Sequence, residues 1–307
     1  MSIWIAKAIT QKLISFLPFK HKINYFFQKH ITKGLALSDK LFETKLVHCN
    51  QHIQALKKYN PGKKRFSALE LGTGWYPVVP VGMYLCGAVE IYSVDIAQLM
   101  TLEKTASTVD KFIEYHNSNK LKEILPAYEE EKLLSLKTLM QTNPPLEDIL
   151  QLLNLKTIIG DITQNEMLSK IKFDLIHSNN TFEHIPEKHL KNILERFHAI
   201  LGNEGVMSHF IDMSDHFSHF DKKISPYHFL KFSKSRWRFI DNNIQPQNRL
   251  RISDYRRLYK ETGWVIREEI VESGNPESLS AINITHEFSQ IDKNDLAITH
   301  ALLIHNR

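Results

Sequence analysis

From residue 66 onward the chain alternates short β-type runs with amphipathic helical runs, and this alternation restricts its fold more than any other feature. The stretches between the β-type runs are long enough to hold the crossover helices that parallel strands require. The sequence therefore predicts an α/β protein built on a mostly parallel sheet. The clearest helix is Glu187–Leu201, where large apolar residues recur at spacings of three and four. The candidate strands are Ser67–Leu71, Ile91–Val94, Thr157–Ile159, Asp174–His177, Val206–Ile211, Trp264–Val271 and Ala297–His305.

Additions to this core are also visible in the sequence. Residues 1–60 are predicted to form a helical N-terminal region or cap, which the turn Asn60-Pro61-Gly62 separates from an α/β domain at 61–307. A helical insertion at 99–156 and a substrate-side insertion at 213–260 interrupt that domain. With 42% hydrophobic and 24% charged residues, the 307-residue chain can bury a sizeable core, which excludes wholesale disorder.

Cysteine usage and hydropathy indicate where the protein works. Cys49 and Cys86 lie far apart without a C-x-x-C motif, which argues for a reducing compartment. No apolar run reaches the ~20 residues of a membrane-spanning helix, and the first twenty residues lack the pattern of a signal peptide. We expect a cytoplasmic protein.

Positive charge is concentrated in two segments. Residues 1–60 hold ten lysines and arginines against two acids, and residues 231–260 hold nine against two. The amphipathic N-terminal helix would either cap the protein's own site or touch a membrane surface weakly, and capping is favoured. Aromatic and arginine side chains at 227–259 could bind nucleic acid, but without a recognised RNA-binding module this partner is not expected.

The most informative motif is a hydrophobic strand that enters a turn at Gly72-Thr73-Gly74. Glycines let the backbone of such a turn approach a ligand closely. The next strand ends about 20 residues later on Asp95, where a carboxylate would bind the hydroxyls of a ribose. This arrangement suits either a dinucleotide or S-adenosylmethionine.

Two residues distinguish these cofactors. Pro77 occupies the position at which a dinucleotide turn carries its third glycine, beside the helix N-terminus that holds the diphosphate. Glu70, in the strand just before the turn, is better placed to hold the cationic methionyl amine than to lie beside a diphosphate. The pattern favours S-adenosylmethionine.

Taken together, the motifs resemble those of the class I S-adenosylmethionine-dependent methyltransferases. The similar segments are Glu70–Gly74, Asp95, Gly160-Asp161-Ile162 and residues 173–185. The resemblance implies a Rossmann-like sheet of seven strands whose last strand is antiparallel. It also implies S-adenosylmethionine as cofactor and methyl transfer, by direct displacement, to an oxygen, nitrogen or carbon atom of a small-molecule acceptor.

By the same resemblance, the ends of the first four strands hold the cofactor. Glu70 would hold the methionyl amine, Asp95 the ribose and Asp161 the adenine amine, while Ile96 and Ile162 would flank the adenine ring. The full set implied by the resemblance is Glu70, Gly72, Thr73, Gly74, Asp95, Ile96, Asp161, Ile162, Ser178 and Asn179.

Acid–base and substrate-binding candidates follow strands four and five. His184 is the first candidate for a general base, because it lies just beyond strand four at the sheet edge where ligands of open α/β folds bind. Glu183, His209, Asp212 and His216 are expected to bind the acceptor. Imidazoles and carboxylates at such spacing can also bind zinc or iron, but nearby aromatic residues and the lack of H-E-x-x-H favour a pocket without metal.

Two other functions stay open at this point. Asp95 permits an NAD(P)-dependent oxidoreductase, which Pro77 and Glu70 disfavour. A non-catalytic protein that uses a methyltransferase fold to bind a membrane surface or nucleic acid is the second alternative. The acceptor is not readable, because the variable regions carry no unique chemical signature.

Overall fold

A computed structural model describes residues 2–16, 36–243 and 245–307. Residues 17–35, part of the predicted helical N-terminal region, lie outside the described residues. The chain divides into two compact units. Among the described residues, unit 1 comprises those within 1–36, 180–191 and 211–302, and unit 2 comprises those within 37–179, 192–210 and 303–307.

The elements alternate along the chain much as the sequence predicts. The strands are β1 Phe66–Leu71, β2 Ala88–Asp95, β3 Leu155–Ile159, β4 Phe173–Asn179, β5 Leu201–Asp212, β6 Glu268–Ser273 and β7 Ile298–Asn306. The helices are α1 Ile3–Ser15, α2 Asp39–Tyr59, α3 Val78–Leu85, α4 Leu102–Asn117, α5 Lys120–Ile124, α6 Glu130–Met140, α7 Leu146–Leu152, α8 Glu187–Ile200, α9 Lys234–Ile240, α10 Ile252–Glu261, α11 Pro276–Ser280 and α12 Lys293–Ala297.

The strands form one seven-stranded sheet in the order β3-β2-β1-β4-β5-β7-β6. Strands β1 to β5 pair in parallel. Strand β7 is antiparallel to β5. Met213 N–H donates to Thr299 O at one end of this pair, and Arg307 N–H donates to Gly205 O at the other. The predicted Rossmann-like sheet, mostly parallel with an antiparallel last strand, is confirmed.

The central strands of unit 2 are buried on both faces. Five of the six residues of β1 and six of the seven of β4 are buried, as expected for parallel strands that helices cover on both sides. Helix α3, which follows the glycine turn, is buried along its whole length. The carboxyl ends of β1, β2 and β4 therefore rest on a packed core, which holds the site residues there in place.

Several element boundaries differ from the predicted ones, and two of the differences involve the end of a helix. The strand predicted at Trp264–Val271 begins at Glu268, because Trp264 N–H instead donates to Tyr259 O and closes the end of α10. Helix α8 ends at Ile200, and β5 begins immediately, so Gly202 belongs to the strand rather than stopping the helix. A Cβ atom on Gly202 would lie 3.1 Å from Phe173 O, so this strand pairing leaves little room for a side chain.

Helix α1 packs within unit 1 and exposes part of its apolar surface. Its buried residues are Ala8, Gln11 and Ile14, and Lys12 Nζ donates to the carbonyls of Arg238 and Asp241. The helix also exposes large apolar side chains: Ile3, Ile9, Leu13 and Phe16. Weak membrane contact through this helix stays a prediction. Among the described residues, the structure contains no helix that is both long and apolar enough to cross a membrane.

Candidate functional site

The glycine turn lies at the carboxyl end of β1 in unit 2. Gly72 and Gly74 have φ angles of 79° and 75°, in the left-handed region that favours glycine. Gly72 N–H donates to Val94 O at 2.8 Å, and Gly74 N–H donates to Asp95 Oδ2 at 3.1 Å. A Cβ atom on Gly74 would have no described atom within 4 Å. The turn thus brings its backbone and Asp95 together beside open space.

Backbone donors orient the carboxylate of Asp95. Besides the Gly74 contact, Ala97 N–H donates to its Oδ1 at 3.2 Å. Burial raises the pKa of Asp95, and the backbone hydrogen bonds oppose that rise. Each carboxylate oxygen can accept further hydrogen bonds, so Asp95 is suited to bind neighbouring hydroxyl groups.

Glu70 lies beneath the turn with 1% of its surface exposed. Its Oε2 accepts from Thr73 Oγ1 at 2.7 Å, and its Oε1 accepts from Asn179 Nδ2 at 3.3 Å. Thr73 Oγ1 also lies 2.6 Å from Ser93 Oγ. Burial raises the pKa of Glu70, while the charge of Lys45 lowers it. Glu70 therefore fixes Thr73 and Asn179 rather than facing a ligand directly.

Lys45 is a site residue that sequence analysis missed. It lies on α2, with Nζ 3.5 Å from Thr73 O, and its charge is attracted by Glu70 and Asp95. Burial lowers the pKa of this lysine. The available signal was its place three residues after the buried Phe42, at the side of the face that α2 buries.

A cleft opens beside the turn in unit 2. Its polar end is formed by Asp95 and the turn, and the β2–α4 loop, α7 and β3 line the rest with side chains that are mostly apolar. The lining residues are Thr73, Gly74, Ser93, Asp95, Ala97, Gln98, Leu99, Met100, Leu146, Leu150, Thr157 and Ile159. This pairing of a carboxylate with an apolar wall suits a nucleoside. Sequence analysis missed Leu146 and Leu150, which belong to the helical insertion.

The three residues that were expected to contact adenine lie outside the lining of this cleft. Asp161 is exposed and accepts from both the N–H and the Oγ1 of Thr163, each at 2.8 Å, so that it caps a short 3-10 helix. Ile162 is buried, and Ile96 is 83% exposed. None of the three lines the cleft beside the turn. Their adenine contacts stay a prediction.

Asn179, at the end of β4, belongs to a buried chain of hydrogen bonds. Its Oδ1 lies 3.0 Å from His52 Nε2, and His52 Nδ1 lies 2.7 Å from Ser208 Oγ. Burial lowers the pKa of His52 to about 4, so this histidine is neutral at neutral pH. The chain holds the Asn179 amide, which in turn donates to Glu70.

Ser178 and His209 are fully buried in unit 2. Ser178 Oγ lies 2.8 Å from His209 Nδ1, and the His209 ring stacks on Phe197 of α8 at a centroid distance of 5.6 Å. Neither side chain has surface open to a ligand in this structure, whereas Ser178 was expected to contact the cofactor and His209 the acceptor.

Unit 1 brings together Glu183, His184 and His216, whose ligand atoms all lie within 4.8 Å of one another. His184 Nδ1 lies 2.7 Å from Pro246 O, a carbonyl that can only accept. The proton is therefore on Nδ1, and Nε2 carries the lone pair. Burial lowers the pKa of His184, which keeps this ring neutral and able to accept a proton.

Asp212, also in unit 1, is surrounded by histidines. Its Oδ2 lies 3.7 Å from His216 Nε2 and 3.5 Å from His219 Nε2, and its Oδ1 lies 3.5 Å from His300 Nε2. Four predicted residues thus belong to this unit 1 cluster: Glu183, His184, Asp212 and His216. Sequence analysis missed His300, because β7 contributes it from far along the chain.

Comparisons with known proteins give only distant likenesses. No protein-family model matches the sequence, and no curated protein is similar to it. Among solved structures, an S-adenosylmethionine-dependent methyltransferase from Clostridium acetobutylicum has a TM-score of 0.45 at 13% identity, covering 93% of this chain and 97% of that chain. Magnesium protoporphyrin IX methyltransferase from Synechocystis, solved with bound S-adenosylhomocysteine, has a TM-score of 0.44 at 11% identity and covers 94% and 95%. A Haloferax volcanii methyltransferase in complex with the Trm112 activator has a TM-score of 0.44 at 14% identity and covers 87% and 92%. None of these values identifies the family or the substrate of this chain.

Proposed function

We propose that the chain is a methyltransferase that uses S-adenosylmethionine and transfers its methyl group to a small-molecule acceptor. The observation that carries this proposal is the start of α3, directly after the glycine turn. Pro77 and Pro80 lack N–H groups there, and Val78 N–H donates to Tyr76 O at 2.8 Å. Val78 and Val79 are fully buried. A diphosphate needs exposed amides at such a helix start, so a dinucleotide is disfavoured.

The residues around the turn fit S-adenosylmethionine instead. The oriented carboxylate of Asp95 would accept hydrogen bonds from the ribose hydroxyls, and the apolar wall at Leu146 and Leu150 would contact adenine. Lys45 would pair with the methionyl carboxylate. Glu70 would act on the methionyl ammonium through Asn179 and Thr73, the residues it holds.

When bound, the cofactor supplies an electrophilic methyl group on a sulfonium, which a nucleophile displaces directly. Such a displacement depends mainly on alignment, so the chief task of Asp95 and Lys45 is to fix the donor. Where the acceptor must lose a proton, His184 is the proposed base, because its Nε2 lone pair is available.

Ion pairs in unit 1 support a small-molecule acceptor over nucleic acid. Arg256 is paired with Glu269 and Asp295, and Arg249 Nη2 lies 3.3 Å from Glu287 Oε2. Arginines already paired with carboxylates are not free to bind phosphates. The predicted cytoplasmic location remains part of the proposal, and the buried free thiols of Cys49 and Cys86 are consistent with it.

Calorimetric titration of S-adenosylmethionine, S-adenosylhomocysteine and NADH into the full chain tests the proposal. We expect both sulfur ligands to bind and NADH not to bind. Asp95→Ala should weaken the binding of S-adenosylhomocysteine by about 10-fold or more, as loss of a hydrogen bond to a charged group implies. Asp110→Ala, which removes an exposed aspartate on α4, is the matched control and should leave that binding unchanged. Binding of NADH alone, or equal affinity in both variants, would overturn the proposal.

A further inference from the structure

The unit 1 cluster contains a carboxylate that is buried without a hydrogen-bonding partner. Glu183 is 2% exposed, and neither of its oxygens makes a hydrogen bond of ordinary geometry among the described residues. The backbone N–H groups of Glu183 and Asp212 and the side chain of Asn180 lie near the carboxylate. Burying an ionised carboxylate is costly, so Glu183 either takes up a proton or needs a cation, such as a metal ion, to compensate for its charge.

The two histidines beside Glu183 have the features of metal ligands. His184 uses Nδ1 on the Pro246 carbonyl, the outer hydrogen bond that orients a metal-binding imidazole and leaves Nε2 for the ion. The ring of His216 lies 5.0 Å from that of His184, and its Nε2 lies 3.7 Å from Asp212 Oδ2. This 3.7 Å separation is beyond hydrogen-bonding distance, so Asp212 does not fix the His216 ring as the Pro246 carbonyl fixes that of His184.

We propose that Glu183, His184 and His216 bind a divalent transition-metal ion. Two imidazoles and one carboxylate form a donor set that suits Zn²⁺, Fe²⁺ or Co²⁺ and suits Mg²⁺ or Ca²⁺ poorly. Ligand atoms around tetrahedral zinc lie about 3.3 Å apart at the usual bond lengths, so the 4.8 Å spread closes by side-chain rotation on binding.

The site would keep coordination positions open. Three protein ligands leave at least one position for water or for an oxygen of a ligand. The side chain of His216 is 25% exposed, which gives that position access to solvent. An oxygen-bearing small molecule is therefore the class of ligand that a metal ion here would take.

Metal binding also changes the role of His184. An ion on Nε2 takes the lone pair that would otherwise accept a proton, so His184 is a ligand when the site is filled and a base only when it is empty. The sequence favoured a pocket without metal, because aromatic residues lie nearby and no H-E-x-x-H motif is present. The three ligands instead come from two segments, at 183–184 and at 216, that the fold brings together.

Titration with Co²⁺ tests this site in the full chain after treatment with a chelator. We expect one equivalent to bind, with visible absorption bands of a nitrogen- and oxygen-bound ion, and Zn²⁺ to displace it. Loss of outer-shell partners alone weakens metal binding by roughly 10–100-fold. Glu183→Gln and His216→Ala should therefore each weaken Co²⁺ binding at least tenfold, whereas the exposed His189→Gln on α8 should not.

Circular dichroism and S-adenosylhomocysteine binding, measured on the same variants, separate loss of the metal site from loss of the fold. A folded wild type that shows no saturable Co²⁺ binding would overturn the proposal. Co²⁺ binding of equal strength in folded Glu183→Gln and folded His216→Ala would also overturn it. The cofactor residues lie in unit 2, so S-adenosylhomocysteine binding is expected to persist in these variants.

Discussion

Replacing Lys45 by methionine should weaken the binding of the amino-acid part of the proposed cofactor and leave the binding of its nucleoside part unchanged. The Lys45 ammonium lies 3.5 Å from Thr73 O at the glycine turn and is half-buried on α2. In the proposed complex it pairs with the methionyl carboxylate and makes no contact with the nucleoside. Methionine keeps a similar length and apolar stem and removes only the charge and the hydrogen-bond donors.

The expected loss follows from the burial of the ammonium. A hydrogen bond to a charged group contributes about 1.5–3 kcal/mol, which corresponds to a roughly 10- to 150-fold change in affinity. The lower part of this range is expected, because burial already lowers the pKa of Lys45 and part of its pairing energy offsets desolvation.

Calorimetry with two ligands measures this effect. S-adenosylhomocysteine carries the amino-acid carboxylate, whereas 5′-methylthioadenosine keeps the nucleoside and lacks that carboxylate. Lys45→Met should weaken S-adenosylhomocysteine and leave 5′-methylthioadenosine unchanged, while Asp95→Asn should weaken both. Equal weakening of the two ligands by Lys45→Met would refute the assignment, since it would show that the lysine supports the turn rather than the carboxylate.

Three further predictions concern the stability of the fold and the turn. Gly74→Ala should cost about 1–2 kcal/mol, because its φ of 75° is left-handed, and chemical denaturation should show this loss. Arg251→Met should lower the free energy of unfolding by about 3–5 kcal/mol or prevent folding, because the buried guanidinium donates to the carbonyls of Met213, Leu296 and Ile298. Thermal melting measures this loss. The control is Arg257→Met, an exposed substitution that should lower the free energy of unfolding by less than about 1 kcal/mol. The pKa of His52 is about 4 in the fold against 6.5 ordinarily, so the unfolded chain takes up a proton first and stability falls as the pH drops from 6.5 toward 4. This histidine contributes at most about 3 kcal/mol, and urea denaturation across this pH range should be less pH-dependent in His52→Gln.

Local patterns were sufficient to predict most of the secondary structure. Helix α2 ends at Tyr59, directly before the predicted Asn60-Pro61-Gly62 turn, because that turn signal lies within one short stretch of sequence. The prediction that a strand begins at Trp264 was wrong, because the Trp264 N–H donates to Tyr259 O at the end of α10. Residue type alone does not encode that backbone hydrogen bond.

The candidate cofactor site could be predicted only where its residues are close in sequence or held by the sheet. Gly74 follows β1 and Asp95 ends the adjacent strand β2, and the hydrogen bond between them shows that they meet. Lys45 and Leu150 come from helices whose packing against the turn no short motif specifies.

The alternation of side chains along β5 explains why His209 does not belong to the histidine cluster around Asp212. His209 and Asp212 are an odd number of residues apart, so their side chains point to opposite faces of the strand. His209 is fully buried in unit 2 and stacks on Phe197, whereas Asp212 lies among histidines in unit 1. Proximity in sequence suggested one cluster, and strand geometry separates the two residues.

A crystal structure of the full chain with S-adenosylhomocysteine would show whether the cofactor binds at the glycine turn. We expect the ribose hydroxyls on Asp95, the adenine against Leu146 and Leu150, and the carboxylate within hydrogen-bonding distance of Lys45 Nζ. Density for the ligand away from the Gly72–Gly74 turn, or a ribose that makes no contact with Asp95, would contradict the proposed cofactor site.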